Sequence, residues 1–208
     1  ITNFLLKNYE IDALVIACNT ATSVAIKHLR EVFPSLIIIG TEPGIKPAIN
    51  NTKTRNIGIL ATASTLKGEK YQLLANELTT KSEVTLHEQA CIGLVEQIEN
   101  GEINSLKTYS MLETWLKPML HNKVDTIVLG CTHYPLVKKT ILDIVGEDVL
   151  LIDTGDAIAK RVVTLSQDLQ NNNKDELNIE ILYTGKINSD MVKIILGKNK
   201  FEMRKCEL

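Results

Sequence analysis

A short unit occurs twice in this chain and leaves few folds open to it. Asp12-Ala-Leu-Val-Ile-Ala-Cys18-Asn-Thr20 and Asp125-Thr-Ile-Val-Leu-Gly-Cys131-Thr-His133 align without a gap, 113 positions apart. Each copy runs from an acidic residue through apolar or Thr positions to a small residue, then Cys, then hydroxyl or amide side chains. The match continues into the next segment, where Val24 pairs with Val137 and Leu29 with Leu142. A duplicated strand-turn-helix unit explains the pattern most simply, and it implies two related domains facing each other.

The rest of the chain repeats that alternation on a larger scale. Short Val/Ile/Leu-rich runs predict strands over 13–17, 36–39, 56–60, 83–87, 126–129, 149–152 and 180–183. Between them, longer amphipathic stretches predict helices over 21–32, 65–78, 92–99, 103–120, 135–145, 157–170 and 189–196, with a helix end over 2–9. This is the pattern of an α/β protein with largely parallel sheets. The expected architecture is two related doubly wound α/β domains with pseudo-twofold symmetry and an active-site cleft between them. Residues 1–41 plus 154–208 should form the first domain and 42–153 the second, with 167–175 a solvated connector. A chain of 208 residues with 44% hydrophobic and 23% charged residues can bury such cores, which excludes disorder by composition. A net charge of −2 provides no general attraction to nucleic acid or to an anionic membrane. No apolar run approaches the ~20 residues of a membrane span. The residues from Ile1 onward show no secretion-signal pattern, so a reducing cytoplasm with free thiols is expected.

The four cysteines, Cys18, Cys91, Cys131 and Cys206, include no C-x-x-C pair, and the four histidines have no ligand spacing, so no metal site is expected. A lone cysteine is ordinarily a small buried hydrophobe, which suits Cys91 and Cys206. Cys18 and Cys131 differ because each follows an apolar strand and opens a helix. Ligands of open α/β sheets bind at that end of the strands. Backbone N–H groups at a helix start favour an anion, so thiols there are expected to titrate below ~8.5. Asn19, Thr20 and Thr132 place polar groups beside the sulfurs. His133, ahead of Pro135 at a helix start, is suited to orient or deprotonate the Cys131 thiol, whereas His28, His87 and His121 read as structural. Two thiols on opposite faces of one ligand can remove a proton from carbon on one side and deliver one on the other, inverting a stereocentre with no cofactor.

At these residues the chain resembles a known family. Val15-Ile-Ala-Cys18-Asn-Thr-Ala21 and Val128-Leu-Gly-Cys131-Thr-His-Tyr-Pro135 are similar to the two cysteine signatures of the glutamate racemases, within the aspartate/glutamate racemase superfamily. The resemblance extends through Gly40-Thr-Glu-Pro-Gly44, Ile57-Gly-Ile-Leu-Ala-Thr-Ala-Ser-Thr65 and Ile152-Asp-Thr-Gly155, covering nearly the whole chain. It implies cofactor-independent interconversion of L- and D-glutamate, supplying D-glutamate for peptidoglycan. Cys18 and Cys131 would be the acid/base pair, and Asn19, Thr20, Thr132 and His133 would bind substrate. Glu99 falls where the family has an acidic residue assisting the second cysteine, with Glu96 competing for that assignment. Thr62 and Thr65 resemble a hydroxyl pair near the substrate. The family often dimerises, so a homodimer is an expected assembly, although nothing in the sequence marks its interface.

The resemblance also has a gap. The family opens with an Asp-Ser-Gly turn that assists the first cysteine and binds substrate, followed by a Pro-Tyr-Gly loop, and neither occurs here. The chain is therefore expected to lack an N-terminal segment, and a polypeptide beginning at Ile1 to be weak, unstable or inactive. Alternatives are an aspartate racemase-like or maleate-processing superfamily member, or a non-catalytic glutamate-binding module. A single-thiol hydrolase would leave the second cysteine unit unexplained.

Overall fold

A computed structural model describes residues 1–167, 169 and 177–207. The first part of the chain forms α1 (Thr2–Asn8), β1 (Ala13–Ile16), α2 (Asn19–Val32) and β2 (Ile37–Gly40). A longer part follows with α3 (Ile45–Asn51), β3 (Asn56–Ala61), α4 (Ala63–Lys67), α5 (Glu69–Ser82), β4 (Thr85–Ala90), α6 (Leu94–Glu99), α7 (Leu106–His121) and β5 (Thr126–Leu129). After a 3-10 turn at Tyr134–Val137 come α8 (Lys138–Val145), β6 (Leu150–Ile152), α9 (Gly155–Leu165), β7 (Ile179–Tyr183), α10 (Ser189–Leu196) and β8 (Phe201–Lys205).

All strand pairs among the described residues are parallel, giving the expected mixed α/β architecture. β1 pairs with β2, β7 pairs with β8, and four strands form a sheet in the order β4-β3-β5-β6. The chain leaves β3 for β4 on one side and later returns to β5 on the other. That reversal creates a crevice outside the carboxyl ends of β3 and β5, where doubly wound sheets bind ligands. β5 is buried at every position and β3 at all but its first. Helices covering both faces account for their unbroken apolar sequences. Leu60, Ile127 and Leu129 point into one core with Ile98, Leu112 and Leu116. Ile57, Ile59 and Val128 point into the other with Ile45 and Tyr71.

The sequence expectations fail at four places, each for a local reason. The helix expected over 65–78 is two helices, because Gly68 leaves helical geometry at φ −65°, ψ 130° and starts α5. The helix expected over 135–145 begins as a 3-10 turn, since Pro135 has no N–H to give the Cys131 carbonyl and Tyr134 N–H bonds it instead at 3.1 Å. α3 was hidden by Pro47 and Gly44. Pro47 stands in the first helical turn, where a missing N–H costs nothing, and fully buried Ile45 and Ala48 anchor the helix. β8 is a strongly charged segment whose alternation is too short to declare a strand. The connector expected over 167–175 lies almost wholly outside the described residues. α9 packs on β2, whereas α10 buries Met191 in the core containing Ile98 and Leu112.

Candidate active site

A parallel sheet brings the carboxyl ends of its strands to one edge, so residues distant in sequence meet there. β3 delivers Thr62, β5 delivers Gly130 and Cys131, and β6 delivers Asp153. Gly130 is required by close approach. A Cβ at this position would stand 2.9 Å from the Leu60 carbonyl oxygen, and its N–H donates to that oxygen at 2.7 Å.

The N-terminus of α2 is held against this edge. Asn19 is buried and donates from Nδ2 to the Gly130 carbonyl at 2.6 Å. Its Oδ1 is also buried and has no partner among the described residues. An unmet buried acceptor costs about 1–3 kcal/mol, so this atom is suited to receive a proton donor from a ligand. Beside it, the Thr20 hydroxyl lies 3.1 Å from that of Thr62 and 3.0 Å from that of Thr65, and Thr62 donates to Thr65 at 3.0 Å. Three residues expected at the site thus form one closed triangle of hydroxyls. Asn19, Cys131 and Thr132 share a cavity of about 90 Å³ with Pro135, Asp153 and Thr154. Asp153 and Thr154 were missed as site residues, although the Asp-Thr-Gly155 sequence at the end of β6 was their signal.

Cys18 is exposed and serves as the N-cap of α2, its sulfur accepting from Ala21 N–H at 3.5 Å. Cys131 is only partly exposed. Its thiol does not titrate low as the helix-start expectation required. Burial pushes it up, the His133 backbone N–H partly offsets this, and the nearby Cys18 and Glu99 charges push it up again. The His133 side chain joins the two groups on either side of it: Nδ1 is 3.8 Å from Cys131 Sγ and Nε2 is 3.1 Å from Glu99 Oε1. Glu99, not Glu96, is therefore the carboxylate in contact with His133. Cys91 lies buried behind this edge, and burial pushes its thiol up to about 12. Among the described residues no group of three His, Cys, Asp or Glu side chains could hold a metal ion, and no helix is long and apolar enough to cross a membrane.

Comparison with known proteins adds an independent line. A family model described as Asp/Glu/Hydantoin racemase matches residues 4–162. The chain is 64% identical over 208 residues to a glutamate racemase of Aliarcobacter butzleri (strain RM4018), covering 100% of this chain and 80% of that protein. It is 59% identical over 196 residues to a glutamate racemase of Sulfurovum sp. (strain NBC37-1), covering 94% and 74%. A crystal structure of a glutamate racemase isoform from Bacillus anthracis superposes with a TM-score of 0.82 at 30% identity, covering 100% of this chain and 77% of that one. Escherichia coli glutamate racemase, crystallised with L-glutamate and the activator UDP-MurNAc-ala, superposes with a TM-score of 0.81 at 29% identity, covering 98% and 77%.

Proposed function

The chain belongs to the Asp/Glu/Hydantoin racemase family, amino-acid racemases and hence isomerases, and from this we propose that it interconverts L- and D-glutamate with Cys18 and Cys131 as the acid/base pair. The observation that carries the proposal is the docking of one duplicated unit on the other through Asn19 and Gly130, the neighbours of the two cysteines. Glutamate is favoured as substrate because the relatives matched at high identity bear that name. The D-glutamate formed would serve peptidoglycan synthesis in the cytoplasm.

The chemistry needs only protons to move. A thiolate on one face takes the α-hydrogen as S–H, and the electron pair of the broken C–H bond delocalises into the substrate carboxylate. The thiol on the other face gives its proton to the same carbon and is left as a thiolate. Hydroxyl and N–H donors aimed at the carboxylate stabilise the charge that develops there. The Thr20–Thr62–Thr65 hydroxyls and Thr132 are suited to that task, and Asn19 Oδ1 to the substrate ammonium. No cofactor is needed because the two sulfurs supply both proton positions.

Cys131, with its thiol pushed up by burial, is suited to begin as the acid while Cys18 begins as the base. In the reverse direction Cys131 must start as the thiolate and take the α-hydrogen, so its proton must already have left the sulfur. Glu99 on Nε2 favours the tautomer with hydrogen on that nitrogen, leaving Nδ1 bare toward the thiol. Exchange of the glutamate α-hydrogen in D₂O tests the mechanism. Cys18→Ala and Cys131→Ala should each lower racemisation by at least about 10²-fold, the scale of one acid/base group. Undiminished racemisation in both variants would refute the two-thiol mechanism, and faster turnover of aspartate than of glutamate would refute the substrate.

A further inference from the structure

Glu99 is the last residue of α6, and its side chain is 64% exposed, so its contact with His133 has little strength of its own to hold the geometry. The backbone must hold it instead. At a helix C-terminus the last carbonyls have no intrahelical partner. Those of Glu96, Gln97 and Ile98 are taken by the N–H groups of Asn100, Glu102 and Gly101 at 3.0, 2.9 and 2.9 Å. The carbonyl of Glu99 is taken by a side chain from a remote element: Asn188 donates to it from Nδ2 at 3.1 Å.

Asn188 is also the N-cap of α10, where its Oδ1 accepts from Asp190 N–H at 3.1 Å and Met191 N–H at 3.4 Å. One amide therefore closes the end of α6 and the start of α10 together. Gly101, at φ +83°, supplies the left-handed turn that leads the chain out of α6 beside Asn188, and a Cβ there would make only ordinary contact, 3.5 Å from Asn188 Nδ2 and 3.9 Å from Met191 Sδ. Met191 is buried with Ile98, so α10 is fixed to the same core as α6. Asn188, Glu99 and His133 line one cavity of about 210 Å³. We propose that Asn188 is a positioning residue that sets the Glu99 carboxylate against His133 and so controls the His133–Cys131 contact. Its kinetic consequence rests on the proposed racemase activity, while its effect on the His133 ring does not.

The test compares Asn188→Ser with Asn188→Ala in the full chain. Serine is a good neutral N-cap but is too short to reach the Glu99 carbonyl. A merely structural cap would make Asn188→Ser behave like the parent and only Asn188→Ala lose Tm. A positioning role predicts that both variants move the His133 ring ¹H–¹⁵N resonances in the same sense as Glu99→Gln, with Asn188→Ser keeping the parental Tm. In turnover, both variants should lower kcat roughly tenfold, the rate equivalent of one lost hydrogen bond, with KM unchanged. Adding Asn188→Ser to Glu99→Gln should lower kcat no further, since the two act through one contact. Unmoved His133 resonances in Asn188→Ser would overturn the inference whatever the activity. Loss of racemisation by the parent chain, with the resonances moving as described, would count against the proposed function alone.

Discussion

At the scale of single residues, the three cysteines near the site differ in surroundings more than in sequence context. Cys18 is exposed, Cys131 is half-buried with its thiol pushed up by that burial, and Cys91 is buried with its thiol near 12. Because thiolate is the reacting species, alkylation by iodoacetamide should proceed first at Cys18. It should reach Cys131 only as pH rises above the ordinary ~8.5 of a cysteine, and should spare Cys91 until unfolding. Peptide mass spectrometry of labelled samples across pH checks that order, and labelling of Cys91 in the folded state would contradict it. Gly130 is the second residue-scale constraint. Gly130→Ala places a methyl 2.9 Å from the Leu60 carbonyl oxygen, backbone that cannot swing away, and should cost about 1–3 kcal/mol in denaturant titration while displacing Cys131. The Cys-Thr-His sequence was legible as a candidate site because its residue types are chemically unusual together. The pairing of His133 with Glu99 was only half legible, because Glu96 and Glu99 lie on one short helix and only its orientation in the fold separates them.

At the scale of elements, the acidic residue opening the second repeat ties a turn to a strand. Asp125 precedes β5 and accepts hydrogen bonds from the Thr52 hydroxyl at 2.6 Å and from the Lys53 and Thr54 N–H groups at 2.7 and 2.8 Å. Burial alone would raise its carboxyl, but those bonds, with that from Thr126, outweigh it and hold the group below the usual carboxylate range. The stabilisation is therefore fully present above the unfolded-state value of ~3.9 and is lost as pH falls through the lower folded value. Asp125→Ala should cost about 2 kcal/mol at neutral pH, the scale of hydrogen bonds to a charged acceptor, and should flatten this part of the acid unfolding curve. Equal acid sensitivity of parent and variant would contradict it. β5 and β3 were readable because strands buried on both faces show continuous apolar runs. α3 was not, since Gly44 and Pro47 carry loop signals that the burial of Ile45 and Ala48 overrides.

At the scale of the molecule, the candidate site is assembled by the way α2 meets the four-stranded sheet. The contacts join residues far apart in the chain: Asn19 with Gly130, Thr20 with Thr62 and Thr65. Thr65→Val keeps the shape of that buried side chain but opens the hydroxyl triangle. It should lower stability by about 1–2 kcal/mol and speed amide exchange at the start of α2 more than in β3 or β5, as hydrogen-exchange mass spectrometry would detect. Uniformly accelerated exchange would mean that the triangle does not join these elements. The sequence by itself determined the parallel α/β class, the duplicated unit and the two cysteines that follow apolar strands, because periodicity, small residues before Cys and residue chemistry are local properties of the chain. Only the tertiary structure decided that Glu99 faces His133, that burial raises the Cys131 thiol, that Asp153 and Thr154 join the cavity and that Asn188 closes the end of α6. Each of these depends on the distance between groups brought together by strand order and helix packing, and a linear pattern does not encode such distances.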